Sequence, residues 1–158
     1  MKARKSWSEK LADSKGLPRA CEVTGKMSKC WGTGIMVIPA PIELDGLMKQ
    51  VPRGRLVTTN ELRAALAAKH NADFACPLTT GIFAWIAAHA AAEAEAAGAK
   101  RITPYWRTLK NCGELNPKFP GGLAALSRRL RAEGHVIMRK GKRLLVRDYE
   151  KALFKGLR

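Results

Sequence analysis

From Phe74 to Ala92 the chain runs for 19 residues without an Asp, Glu, Lys or Arg. A run this free of charge either crosses a bilayer or forms a helix that other parts of the same chain must cover. Pro77, Thr79, Thr80, Gly81 and His89 interrupt it, and much of the remainder is alanine, which is only weakly lipophilic. A buried helix is therefore expected, with no membrane contact. Pro77 suits a first helical turn and Gly98 a stop, which places the helix at about Pro77 to Ala97. Leu78, Ile82, Phe83, Trp85, Ile86 and His89 cover a broad arc of it.

A helix apolar on most sides needs partners on most sides. With 158 residues, 46% of them hydrophobic, the chain is long enough for one compact domain with a short appended arm. Ser6 or Ser8 caps a short helix over Trp7, Leu11 and Ala12 that ends near Gly16-Leu17-Pro18. Gly34 to Pro39 reads as a strand. A helix from Pro41 to Gln50 and another from Glu61 to His70, capped by Thr58-Thr59-Asn60, precede the long one. Leu123 to Glu133 forms a further helix closed by Gly134, and His135 to Val146 alternates as two β segments around Gly141. The expected architecture is mainly α with a small β-hairpin. Residues 1–41 form an N-terminal arm with a short helix and strand, and 42–158 form the main domain.

Charge is distributed as unevenly as hydropathy. Residues 1–55 carry a net +6, residues 56–98 a net −2 and residues 99–158 a net +12, for +16 in all. A surplus of this size attracts polyanions in a salt-dependent way, so nucleic acid is the leading partner class against a merely solubilising surface. Arg128, Arg129 and Arg131, together with Arg139, Lys140, Lys142 and Arg143 at the hairpin tip, are the expected phosphate contacts. The basic opening Met1 to Lys10 runs into charge, unlike a secretion signal, and a cytoplasmic location is expected.

The four cysteines, Cys21, Cys30, Cys76 and Cys112, include no Cys-x-x-Cys pair, and only three histidines accompany them. No metal or cofactor is expected, and no cysteine neighbours a histidine in sequence as a thiolate-generating pair would. Two segments remain open to two readings each. Thr79, Thr80 and Gly81 at the start of the long helix either let backbone approach a phosphate or groove wall, or simply cap the helix and allow tight packing. Pro104-Tyr105-Trp106-Arg107 sets two aromatics beside a guanidinium, which suits stacking of an extruded base, or else a core indole with a structural arginine.

In order and approximate spacing, residues from about Ile42 to Ile137 resemble the DNA-binding domain of the O6-alkylguanine-DNA alkyltransferases and the alkyltransferase-like proteins. The family's opening Pro-x-Gly-x-Val-x-Ser/Thr-Tyr is similar to Pro52-Arg53-Gly54-Arg55-Leu56-Val57-Thr58-Thr59. Its active-site Pro-Cys-His-Arg resembles Pro104-Tyr105-Trp106-Arg107 in the first and last members. A downstream Gly, a Tyr-Ser-Gly-Gly-Leu loop and a Leu-x-x-Glu-Gly helix end are similar to Gly113, Phe119-Pro120-Gly121-Gly122-Leu123 and Leu130 to Gly134.

The resemblance implies a winged helix-turn-helix domain that binds double-stranded DNA, including DNA with O6-alkylguanine, its long helix in the minor groove. It implies a base pocket of Tyr105, Trp106, Phe119, Pro120, Gly121 and Gly122. Thr79, Thr80 and Gly81 would lie at the groove, and Arg107, Arg128, Arg129, Lys140, Lys142 and Arg143 along the backbone. Tyr105 and Trp106 stand where the alkyltransferases carry the acceptor Cys and its His, so alkyl transfer is expected to fail. The chain looks closer to the alkyltransferase-like proteins, which replace that Cys and bind alkylated DNA without repairing it directly. Repair proteins would then be further partners. Leu78 occupies the place of the family's Arg wedge, and Thr59 that of its Tyr. Two rivals stand beside this reading. One is an active alkyltransferase with Cys76 or Cys112 as a displaced acceptor, and the other a sequence-tolerant architectural or regulatory DNA binder.

Overall fold

The structure, a computed structural model, describes residues 3–158, with the side chains of Met27, Cys30 and Trp31 left aside. The chain opens with α1 (Trp7–Ala12), β1 (Arg19–Val23), α2 (Lys26–Trp31) and β2 (Gly34–Ile38). It continues with α3 (Pro41–Lys49), β3 (Val57–Thr58), α4 (Thr59–Lys69), β4 (Phe74–Ala75) and α5 (Pro77–Ala96). A short 3-10 turn over Tyr105–Arg107 leads into β5 (Thr108–Leu109), followed by α6 (Gly122–Ala132), β6 (Ile137–Lys140) and β7 (Arg143–Val146). Among the described residues no helix is long and apolar enough to cross a membrane.

The charge-free run folds as the central helix α5. Phe83, Ala84, Ile86, Ala87, Ala88, Ala90 and Ala91 are buried along it, because α1, α3 and α4 pack around it and the small alanines admit close approach. Leu44, Met48, Leu62 and Leu66 supply the facing apolar stripes and are fully enclosed. The α4 cap is Thr58, whose hydroxyl and backbone N–H both donate to Glu61. Glu43 ties α3 to α4, its carboxylate 2.6 Å from His70 Nε2 and 3.0 Å from Lys69 Nζ.

The first 41 residues are more structured than one helix and one strand. β1 pairs antiparallel with β2, and β2 pairs in parallel with β4, making a three-stranded sheet that joins the arm to the segment leading into α5. α1 lies on α5, with Glu9 closing the capping box of Ser6. Glu93 of α5 accepts from Trp7 N at 3.0 Å, Ser8 N at 3.2 Å and Ser8 Oγ at 2.9 Å, so the exposed amides of α1 find a carboxylate.

A parallel pair, β3 with β5, sets Val57 opposite Thr108 and Thr58 opposite Leu109. The β6–β7 hairpin forms where expected, and Leu115 N donates to Leu144 O at 2.9 Å, fixing loop 114–115 along the edge of β7.

Gly113 shows why that loop takes one path only. Its φ is +78°, and a Cβ there would collide with the ring of Tyr149. Gly113→Ala is expected to cost about 3 kcal/mol, combining a left-handed backbone with overpacking. Chemical denaturation of Gly113→Ala, and of the same change with Tyr149→Ala, measures this, the second substitution recovering the steric part.

Candidate nucleic-acid interface

Tyr105 is 3% exposed. Its ring centroid lies 5.3 Å from that of Trp106 and 6.3 Å from that of Phe119, both edge-on, with the Arg129 guanidinium carbon 5.7 Å away. Burial raises the phenol pKa, and Arg129 offsets this only partly, so the hydroxyl stays protonated at neutral pH and is no nucleophile. Phe119 is buried as well, at 4% exposure. Of the expected base pocket, Tyr105 and Phe119 are thus packed into the core, Trp106 and Pro120 are half-buried, and Gly121 (φ +81°) and Gly122 form the left-handed entry to α6.

Arg107 is likewise turned inward. Its Nε donates to both Glu133 carboxylate oxygens at 2.9 and 3.0 Å, its Nη2 to Oε1 at 2.6 Å and its Nη1 to the Val51 carbonyl at 2.8 Å. Trp106 Nε1 donates to the same carboxylate at 2.9 Å, and the Gly54 amide does so at 3.3 Å. Burial alone would raise the Glu133 pKa, but the hydrogen bonds from Arg107, Trp106 and Gly54 prevail and hold it below the usual carboxylate range. The structural alternative for Pro104-Tyr105-Trp106-Arg107 is the one found, and Arg107 is not placed to meet a phosphate. Arg129 is also committed, 2.6 Å from Glu95 and 4.4 Å over the Trp106 ring. Arg128 is exposed.

At the start of α5 the Thr80 hydroxyl is fully buried and donates to the Cys76 carbonyl at 2.7 Å. The Thr79 Oγ1 is buried too, without a hydrogen-bond partner among the described residues. Gly81 alone of the three expected residues lines an open cleft of about 510 Å³. The helix contributes Pro77, Leu78, Gly81, Ile82 and Trp85 to one wall, and Lys110, Asn116, Pro117 and Lys118 form the other. Leu78 is 59% and Ile82 41% exposed, large aliphatic side chains left outside the core by a helix otherwise buried on most sides.

The basic hairpin contacts the loop that forms one wall of this cleft. Lys110 and Arg143 both approach Glu114, at 3.9 and 3.6 Å, which ties the hairpin tip to the loop that carries Lys118. Arg139, Lys140, Lys142 and Arg143 are exposed. An apolar cleft with an indole in its lining and lysines at its rim fits a flat aromatic group joined to an anion. Sequence reasoning missed Lys110, Asn116, Pro117 and Lys118 as a wall. The signal on the helix was present, since Leu78, Ile82 and Trp85 follow i, i+4, i+7 spacing on one face.

No protein-family model matches the sequence, and no curated protein matches it. Among solved structures, the chain is similar to the crystal structure of S. pombe Atl1 in complex with damaged DNA containing O6-carboxymethylguanine. The TM-score is 0.51 at 14% identity, covering 73% of this chain and 94% of that one. At this identity the likeness is one of fold, and the chain has the alkyltransferase-like fold.

The Glu133 cluster yields a pH-dependent prediction. Because the folded carboxyl is more acidic than an ordinary glutamate at 4.5, its stabilisation is present above that value and is lost as pH falls through the lowered folded value. Glu133→Gln leaves the inward-facing Arg107 without its counter-charge and should cost about 3 kcal/mol at neutral pH. It should also flatten the acid limb of stability against pH, measured by urea denaturation from neutral to acid conditions.

Proposed function

We propose that this chain is a DNA-damage-binding protein of the alkyltransferase-like type, which holds duplex DNA at the start of α5 and transfers no alkyl group. The observation that carries the reading is a cleft with one apolar, uncharged helix wall and a facing wall that carries Lys110 and Lys118, on a fold shared with a protein crystallised on damaged DNA. On this reading α4 and α5 are the helix-turn-helix and β6–β7 the wing. Phosphates are held by Lys110, Lys118, Arg128 and the hairpin cations Lys140, Lys142 and Arg143, while the neutral helix start enters a groove.

Leu78 is the side chain suited to wedge between base steps, and the cleft behind it is large enough for a nucleobase. The base site thereby moves from Tyr105 to the α5 wall. Absence of alkyl transfer is supported at two of the positions by the buried, protonated phenol of Tyr105 and by the enclosure of Cys76, 3% exposed in a small cluster with Val23 and Met36, whereas Cys112 is exposed and is the acceptor that the labelling experiment must exclude. Incubation with DNA bearing a labelled O6-alkyl group should leave all four cysteines unlabelled.

The decisive comparison is between two duplexes of one sequence, with and without a single O6-alkylguanine, at fixed salt. A preference of about ten-fold, equivalent to about 1.4 kcal/mol, is expected, and Leu78→Ser should narrow it. Equal affinity would favour a sequence-tolerant architectural binder. Lys142→Ala should weaken binding to both duplexes alike and reduce the slope of log affinity against log salt by about one.

A further inference from the structure

The two walls of the cleft differ in kind. One is regular helix, whereas Asn116–Lys118 is irregular backbone between the 3-10 turn at Asn111–Gly113 and α6. A lysine on such a segment loses freedom on binding unless the segment is already held. Here it is held from α5: Trp85 Nε1 donates to the Lys118 carbonyl at 3.2 Å, and His89 Nε2 lies 3.3 Å from the same oxygen. The two donors are one helical turn apart.

Both donor rings are themselves positioned by one residue of the N-terminal arm. Trp7 stacks on His89 with centroids 4.4 Å apart and planes 21° apart, and it meets Trp85 edge-on at 4.8 Å. A continuous set of contacts thus runs from α1 through two rings to the wall that carries Lys118.

We propose that α1 is a positioning element for the DNA site, in which Trp7 and His89 preset the Lys118 segment for a backbone phosphate before DNA arrives. This rests on the duplex-binding reading above. Neither Trp7 nor His89 touches DNA in this account. They act through the Lys118 carbonyl.

The test is a double-mutant cycle on affinity for an undamaged duplex at fixed salt, read together with the salt slope. Lys118→Ala should weaken binding several-fold and lower the slope by about one. Trp7→Ala should weaken binding in the same direction in the unaltered chain and have little effect in the Lys118→Ala background. His89→Gln, which keeps an N–H donor, should retain more affinity than His89→Ala. That comparison also serves if Trp7→Ala impairs folding, because the two His89 variants are matched by thermal unfolding before they are compared.

Multiplying effects of Trp7→Ala and Lys118→Ala, or equal affinities for the two His89 variants, would overturn the proposal. So would unchanged binding by Lys118→Ala. In each of those cases duplex binding itself would survive, with its dependence on Lys142. Failure of the unaltered chain to bind any duplex would instead remove the functional reading and the proposal with it.

Discussion

One carboxylate orders the centre of this molecule. Glu133, at the end of α6, gathers the Arg107 guanidinium, the Trp106 indole N–H and the Gly54 amide, while Arg107 also reaches the Val51 carbonyl. Three chain segments far apart in sequence, 51–54, 106–107 and 133, are thereby fixed to one another. Burying such a pair is costly unless nearly every donor and acceptor is used, and here the arginine and the carboxylate are satisfied by one another and by neighbouring backbone. With that cluster in place, Tyr105 is driven against Phe119 and the 3-10 turn runs straight into β5. The segment that most resembled a reactive centre is thus a structural one.

That inversion marks the boundary of what was legible beforehand. α5 was readable because a long stretch without charge, opened by Pro77, has few ways to fold in water. Capping chemistry at Ser6 and Thr58 and the hairpin around Gly141 were readable for the same local reason. β1, α2 and the two-residue strands β3, β4 and β5 were not, because strands this short are defined by their partners and carry no period of their own. The direction in which Arg107 points was also invisible. A guanidinium beside two aromatics is equally suited to a phosphate and to a carboxylate 26 residues downstream, and only the fold selects between them.

The same limit applied to the cleft. Leu78, Ile82 and Trp85 share a face that pattern alone reveals, but the opposing wall of Lys110, Asn116, Pro117 and Lys118 is brought there by loop geometry. Gly113 against Tyr149 and the pairing of Leu115 with Leu144 decide that path. The cationic tip of β6–β7 is joined through Arg143 and Glu114 to the loop that forms this wall, across from the apolar helix face. Separation of duties follows: cations supply attraction at a distance without reading sequence, and aliphatic and aromatic surface supplies contact once the strands are close.

The central claim, that duplex DNA docks at the start of α5 with the Lys118 loop and the hairpin, is tested most directly by mapping amide chemical-shift changes by NMR as a short duplex is titrated. The account predicts that changes cluster at residues 77–82, 110–118 and 139–143. Changes confined to the β1–β2 face at residues 19–38, with the cleft silent, would contradict it.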